Sequence, residues 1–264
     1  MSDPSTVNVL FVADIVGRPG RDITARLLPA LLRKYDVDFC IANGENAADG
    51  KGITPREFFE LRQMGIDVIT GGNHTWDKKE GHKLLGEQSQ ILRPLNYPPD
   101  NAGMGAGVYE LRRGEKVGVI NLQGRTFMYP IDCPFRLGKQ EAERMRPQTP
   151  IIIVDFHAEA TAEKQAMFWH LDGLVSAVIG THTHVQTADE RILPNGTAAI
   201  TDVGMTGPAD SVIGLNRRVA LKRFLLGTPQ RYEIAEENLR LNAILIALDV
   251  SSGRATKLQR INLP

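Results

Sequence analysis

The chain reads as an α/β protein built around mixed β-sheet, and three features of its 264 residues carry that expectation. Apolar runs of strand length alternate with helical patterns, a hairpin pattern interrupts that rhythm mid-chain, and two alternating runs close the chain around "SSG". Strands covered on both faces read as unbroken apolar runs, and successive βα units favour parallel pairing.

The first strand is "VNVLFVAD", followed by the helix "GRDITARLLPALLRKYD" with Ile23, Leu27, Leu28, Leu31 and Leu32 at helical spacing. Next come the strand "VDFCIANG" and a helix opening at "TPREFFELRQMG", where Thr54 can cap and Pro55 suits the first helical position. "DVITGGNH" and the polar helix "DKKEGHKLLGEQ" make a third unit. The stretch "GAGVYELRRGEKVGVINLQG" is an antiparallel hairpin turning at Arg113, Gly114 and Glu115. Alternation resumes with the strand "PIIIVDFHAE", the helix "ATAEKQAMFWHLDG" and the strands "VSAVIGTHTH" and "GTAAITDVG". "RLNAILIALDV" and "ATKLQRINL" form the closing hairpin. No repeat or Pro/Gly/Ser-rich linker divides the chain, so residues 1–264 are expected to be one domain.

Bulk properties narrow the partners. Thirty-one basic residues balance 31 acidic ones, so no net field draws the chain to nucleic acid or an anionic membrane. No apolar stretch approaches the roughly 18–20 residues that span a bilayer, and "MSDPSTVNVLFVAD" has no basic region before its apolar run. A membrane is therefore not expected as a partner. Cys40 and Cys133 make no disulfide framework, which points to the cytoplasm.

The polar residues at the ends of the apolar runs are more specific. Asp14 succeeds the first run, Glu45 and Asn46 the second, Asn73 and His74 the third, His157 succeeds "IIIVDF", and His182 with His184 succeeds "VSAVIG". Five strands thus end in hard or borderline metal ligands. Functional crevices of α/β sheets lie beyond the carboxyl ends of parallel strands, where residues distant in sequence converge. So many ligands exceed the needs of one tetrahedral zinc. They suit two hydrolytic metals about 3.5–4 Å apart. A set without cysteine fits iron, manganese or zinc, in divalent or mixed-valence form, and not copper(I).

The order "ADIVG", "NGEN", "GGNH", "DFHAE" and "GTHTH" resembles the calcineurin-like metallophosphoesterase superfamily. Two departures mark a branch: Val16 stands where that superfamily carries a histidine, and Glu45 followed by Asn46 replaces its bridging aspartate. With "GRPGR", "ANGENAADGKGIT", "GGNHTWD" and "TDVGMTG", the whole chain is similar to the bacterial YmdB-like branch, which is associated with 2',3'-cyclic nucleotide phosphodiesterase activity. The resemblance implies two mixed β-sheets packed face to face and flanked by helices, a four-layer sandwich. It implies that Asp14, Glu45, Asn46 and His184 hold one metal, and that Glu45, Asn73, His157 and His182 hold the other. It also implies His74 as general acid, a metal-bridging hydroxide as nucleophile and a 3'-nucleotide as product. Partners then are a small phosphodiester, RNA ends carrying the same ring, and a second copy of the chain in a homo-oligomer.

Other polar residues favour plainer readings. His82 in a charged helix is expected to be solvated, His170 beside Trp169 to pack, and Cys40 to fill core. Arg18 and Arg21 of "GRPGR" could steer phosphate, although turn chemistry explains that loop as well. In "QGRTFMYPIDCPF", Phe127, Tyr129 and Phe135 could stack on a nucleobase or fold into the core. Within 204–224, the helix carrying Arg217, Arg218, Lys222 and Arg223 reads as a solvated face, a lid or a subunit contact. The substrate-binding residues stay open. A TIM-barrel amidohydrolase also uses an H-x-H pair, but on its first strand, whereas here the pair comes late. A regulatory RNA- or protein-binding module on a phosphoesterase scaffold is the rival outside enzymes.

Overall fold

The computed structural model describes residues 5–111 and 113–264. Among them, the chain alternates in the expected order. Strand β1 (Thr6–Val12) and the short β2 (Asp14–Ile15) lead into helix α1 (Gly17–Lys34), then β3 (Phe39–Asn43), α2 (Pro55–Gln63), β4 (Val68–Thr70), α3 (Lys79–Glu87) and β5 (Ile91–Leu92). The hairpin is β6 (Ala106–Glu110) and β7 (Lys116–Gln123), followed by α4 (Pro134–Met145), β8 (Ile151–His157), α5 (Thr161–Leu171) and β9 (Ala177–Thr181). Short strands β10 (Arg191–Ile192), β11 (Ala198–Ile200) and β12 (Met205–Pro208) precede α6 (Arg217–Leu226) and the closing hairpin β13 (Leu239–Asp249) and β14 (Ala255–Leu263).

The strands form two mixed sheets. The first runs β2-β12-β13-β1-β3-β4-β5, with β14 on β13, and the second runs β10-β11-β9-β8-β7-β6. β1, β3, β4 and β5 are mutually parallel, as are β7, β8, β9 and β11. The two parallel blocks present the carboxyl ends that carry the candidate residues.

Three apolar layers hold the sandwich together. Val9, Phe11 and Ile41 of the first sheet meet Val119, Ile153 and Ile179 of the second. The first sheet's other face, with Leu10, Val12 and Cys40, packs on Ile23 and Leu28 of α1, Phe58 of α2 and Leu84 of α3. The second sheet's other face, with Ile120, Val154 and Phe156, packs on Met145 of α4 and Phe168 of α5. Each fully buried Val, Leu, Ile or Phe contributes about 1.5–3 kcal/mol. Coverage on both faces is why the strands read as continuous apolar runs.

Some boundaries differ from expectation. The helix α1 starts at Gly17, so "GRPG" forms its first turn; Pro19 is tolerated there because first-turn N–H groups have no helical partner. The helix α4 carries no sequence expectation, because its buried stripe is Pro134, Gly138, Ala142 and Met145, mostly residues too small to mark a face. The basic residues of α6 do not make a purely solvated polar face: Leu221, Phe224, Leu225 and Leu226 are also exposed. Helix α2 starts as expected, with Thr54 and Glu57 in a reciprocal capping box. No helix among the described residues is long and apolar enough to cross a membrane.

Candidate active site

Five strand ends deliver polar side chains to one cleft between the sheets. β1 leads to Asp14, β3 to Glu45, β4 to Asn73 and His74, β8 to His157, and β9 to His182 and His184. Asp14, Glu45, Asn46 and His157 are buried. Contacts link the set across the fold: His157 Nε2 lies 2.9 Å from Asn73 Oδ1, 3.2 Å from Glu45 Oε1 and 3.0 Å from His182 Nδ1. His182 N–H donates to Asp14 Oδ2 at 3.1 Å, and His184 Nε2 stands 3.4 Å from the same oxygen.

Hydrogen-bond accounting fixes which nitrogen each histidine turns inward. The Ile213 carbonyl can only accept, so His184 donates from Nδ1 at 3.0 Å and turns Nε2 toward Asp14; burial opposes a second proton on that ring, but the hydrogen bond and charge of Asp14 outweigh it and raise its pKa. The Glu159 carboxylate, 3.0 Å from His182 Nε2, accepts from the N–H there and leaves Nδ1 facing His157. Thr181 donates its hydroxyl hydrogen to Asp155 Oδ1 at 2.7 Å, so its oxygen accepts from His157 Nδ1 at 2.9 Å. His157 Nε2 is thereby free for the cleft. Ligating histidines are held in this way, by an acceptor on the outer nitrogen.

The electrostatics fit a cation. Burial pushes the Glu45 carboxyl up, but the charge and hydrogen bond of His157, with His74 beside them, outweigh it and hold the carboxyl at about 2. Burial pushes His157 down, yet Glu45 and then Asp14 carry it to about 9. Burial and the positive His157 drive His182 to about 3, so its imidazole is neutral and available as a ligand. One proton at His157 Nε2 faces three inward atoms, where a metal ion would satisfy all of them.

Two buried oxygens strengthen the fit. Asp14 Oδ1 and Asn46 Oδ1 have no hydrogen-bond partner. The Asn46 amide nitrogen donates to the Gly50 carbonyl at 3.0 Å, leaving that oxygen as the side chain's one ligand atom. A buried acceptor without a donor costs about 1–3 kcal/mol, which a bound cation offsets. Glu45, His157 and His182 already bring ligand atoms within 4.8 Å of one another. Gly72 lines the same floor, where a Cβ would overlap the Glu45 carboxylate and the His157 ring.

His74 stands apart from this set. Its N–H donates to Glu45 Oε2 at 2.9 Å, and its Nδ1 lies 2.9 Å from Asp77 Oδ2. The Asp77 carboxylate on Nδ1 orients the ring and leaves Nε2 as the nitrogen turned away from it.

Two details depart from the reading of "GTHTH". Strand β9 ends at Thr181, and His182 and His184 adopt left-handed backbone at φ 102° and 66°. Local turns, not strand alternation, therefore aim the pair. Strained residues of this kind cost about 1–3 kcal/mol each and concentrate at functional sites. Asp202 braces the turn by accepting from Thr183 N–H at 2.9 Å, and Lys164 pairs with the same carboxylate oxygen at 2.7 Å, both side chains being buried.

The plainer readings sort cleanly. His82 bonds the Trp76 carbonyl at 3.1 Å and His170 the Phe135 carbonyl at 3.1 Å. Arg21 does not face a phosphate: it is buried, bonds the Ala47 carbonyl and pairs with Glu60 at 2.9 Å. Sequence reasoning missed Asp77, Asp155, Glu159, Thr181, Lys164 and Asp202. The strand period of two offered a signal for Asp155, which shares a face with His157. Asp202, which follows the apolar run of "GTAAITDVG", carried the same strand-end signal, and Lys164 offered none.

Known proteins share this architecture. The chain is 48% identical over 255 residues to the 2',3'-cyclic-nucleotide 2'-phosphodiesterase of Bacillus subtilis, covering 97% of this chain and 96% of that protein. It is 35% identical to a putative phosphatase/phosphodiesterase of Mycoplasma pneumoniae, over 98% of this chain and 94% of that one. A hypothetical protein from Thermus thermophilus superposes with a TM-score of 0.91 at 42% identity, covering 98% of this chain and 100% of that one. A phosphatase structure from Mycoplasma pneumoniae superposes with a TM-score of 0.92 at 35% identity, over 100% and 94%. The family model described as YmdB-like protein matches residues 10–261, and the chain belongs to the YmdB-like family.

Proposed function

We propose that this chain, acting as one metallophosphoesterase domain over residues 1–264, hydrolyses 2',3'-cyclic nucleotides to 3'-nucleotides with two metal ions. The observation that carries the reading is the inward turn of three histidines, each tied at its outer nitrogen, onto a cleft shared with Glu45, Asn73 and Asp14. The name of the Bacillus subtilis relative supports the substrate. Asp14, Glu45, Asn46 and His184 would hold one metal, and Glu45, Asn73, His157 and His182 the other. Iron or manganese is the preferred occupant, with zinc as the alternative.

When bound, two metal ions would supply a hydroxide nucleophile for phosphorus near neutral pH and offset charge on the phosphoryl oxygens. The chain's own residues do the rest. Glu45, nearly always ionised, balances two cations. His74 donates its Nε2 proton to the leaving O2' as the P–O2' bond breaks, and Asp77 steadies the ring through Nδ1. The product keeps phosphate on O3'. An RNA 3' end bearing the same cyclic phosphate presents the same bond and is a second substrate. The unpaired thiols of Cys40 and Cys133 support a cytoplasmic setting. The exposed Leu221, Phe224 and Leu225 of α6 support a homo-oligomer.

The test is metal content by elemental analysis alongside hydrolysis of 2',3'-cyclic AMP and bis-p-nitrophenyl phosphate on one preparation. About two metals per chain, with turnover that a chelator abolishes and a preference for the cyclic nucleotide, is the expected result. Two metals without turnover on either ester would move the assignment to the regulatory module. No metal after reconstitution would end the metal reading, and Glu45→Ala retaining full metal would remove Glu45 as the bridge.

A further inference from the structure

The loop between β7 and α4 does something the core does not need. Phe127 is 89% exposed and Tyr129 75%, whereas Phe135 of the same stretch folds back against Phe156 at a ring distance of 6.4 Å. Two aromatics are thus held in solvent while the third packs. The loop is also built. Glu163, in the first turn of α5, accepts from the N–H groups of Arg125 at 3.0 Å and Thr126 at 3.1 Å, and Ile131 N–H closes on the Tyr129 carbonyl at 3.0 Å. Phe127 adopts φ 62°, left-handed backbone that an aromatic residue seldom takes without cause.

The cause lies in what the loop faces. A cleft of about 460 Å³, in the range of small-molecule sites, is lined by Phe127, Met128, Tyr129 and Pro130 of this loop together with Asn73 and His182. The same cleft therefore carries two candidate metal ligands and two exposed aromatic side chains. A cyclic nucleotide has the same two ends, a phosphate and a base joined through ribose.

We propose that Phe127 and Tyr129 form the nucleobase subsite, taking the base by its π-face and leaving its hydrogen-bonding edge unread. This rests on the phosphodiesterase reading above. The aromatic wall supplies one side-chain polar group, the Tyr129 hydroxyl, too few to read a base edge. Stacking is sequence-tolerant because every base has a π-face. Purines, with the larger face, are favoured over pyrimidines, and adenine and guanine are treated alike.

The experiment compares kcat/KM for 2',3'-cyclic AMP with that for glycerol 1,2-cyclic phosphate, which carries the cyclic ester without a base. It is run on the metal-loaded full chain and on Phe127→Ala, Tyr129→Ala and Phe127→Trp. The wild-type protein is expected to prefer the nucleotide, and each alanine to lower that preference about tenfold, the size of one base–aromatic stack, through KM more than kcat. Tryptophan at 127 should restore it, and cyclic GMP should follow cyclic AMP, with cyclic UMP behind both. An unchanged ratio in both alanine variants overturns the subsite and leaves the phosphodiesterase reading standing. So does a wild-type protein that cleaves the glycerol ester as well as the nucleotide. A shift in sedimentation mass at constant ratio would assign the aromatics to a subunit contact instead. Cleavage of neither ester by the wild-type protein removes both readings together.

Discussion

Thr181 Oγ1 lies 2.7 Å from Asp155 Oδ1, and that contact decides which nitrogen of His157 faces the cleft. With its hydrogen committed to Asp155, the Thr181 hydroxyl can only accept from His157 Nδ1. Asp155 is itself held by Thr70 Oγ1 and Asn43 Nδ2, so the relay is anchored in both sheets.

Thr181→Val should therefore leave the fold in place and weaken metal binding about 10–100-fold, the usual effect of removing a group that orients a ligand. Thr181→Ser, which keeps the oxygen, should bind like the wild-type protein. Calorimetric titration of the chelator-treated protein with manganese measures both, and equal affinity for the valine variant would rule the relay out.

His74→Ala should keep both metals and lower kcat about 10²–10⁴-fold, the range of a general acid. Asp77→Asn, which leaves the ring present but less firmly held, should cost less. Elemental analysis and steady-state rates on the same samples separate the roles. Loss of metal in His74→Ala would make His74 a ligand.

The Glu45–His157 pair should stabilise the metal-free protein most in mildly acidic solution. Glu45 drops from 4.5 to about 2 on folding, so its contribution is full above about 4.5 and is lost as pH falls toward 2. His157 rises from 6.5 to about 9, so its contribution is full below about 6.5 and is lost as pH rises through 9. Both shifts express one contact of 3.2 Å and count once. In thermal melts of chelator-treated protein, the loss caused by Glu45→Gln should be largest between about pH 4.5 and 6.5 and shrink toward pH 2 and pH 9.

Lys164→Met should destabilise the protein by about 3–5 kcal/mol, because it leaves Asp202 buried without its cation. The double variant with Asp202→Asn should recover part of that loss, yet lose metal affinity, since Asp202 braces the turn between His182 and His184. Denaturant melts and metal titration report the two effects separately.

Most of the architecture was legible in the chain. The apolar runs announced the central strands because both faces of each sheet are covered, and Thr54 with Pro55 announced the start of α2 because capping is local. Helix α4 stayed hidden because Gly138 and Ala142 bury too little to mark a stripe, and the two-residue strands because pairing at that length is set by neighbours. The exposed apolar residues of α6 were masked by interleaved arginines and lysines.

The site divides along the same line. Strand ends and residue types singled out Asp14, Glu45, Asn46, Asn73, His74, His157, His182 and His184, since a sheet delivers the carboxyl ends of its parallel strands to one edge whatever separates them in sequence. Tertiary structure alone decided which nitrogen each histidine turns inward, because Ile213, Glu159 and Thr181 meet those rings only once segments distant in sequence have paired and folded together. It alone decided that Phe127 and Tyr129 stand in solvent while Phe135 packs, half-buried, against the core, because the Glu163 carboxylate that holds the loop comes from a separate helix. Local sequence encodes what hydrogen-bonds to its own neighbours, whereas contacts between residues 23 to 168 positions apart exist only once the whole chain is folded.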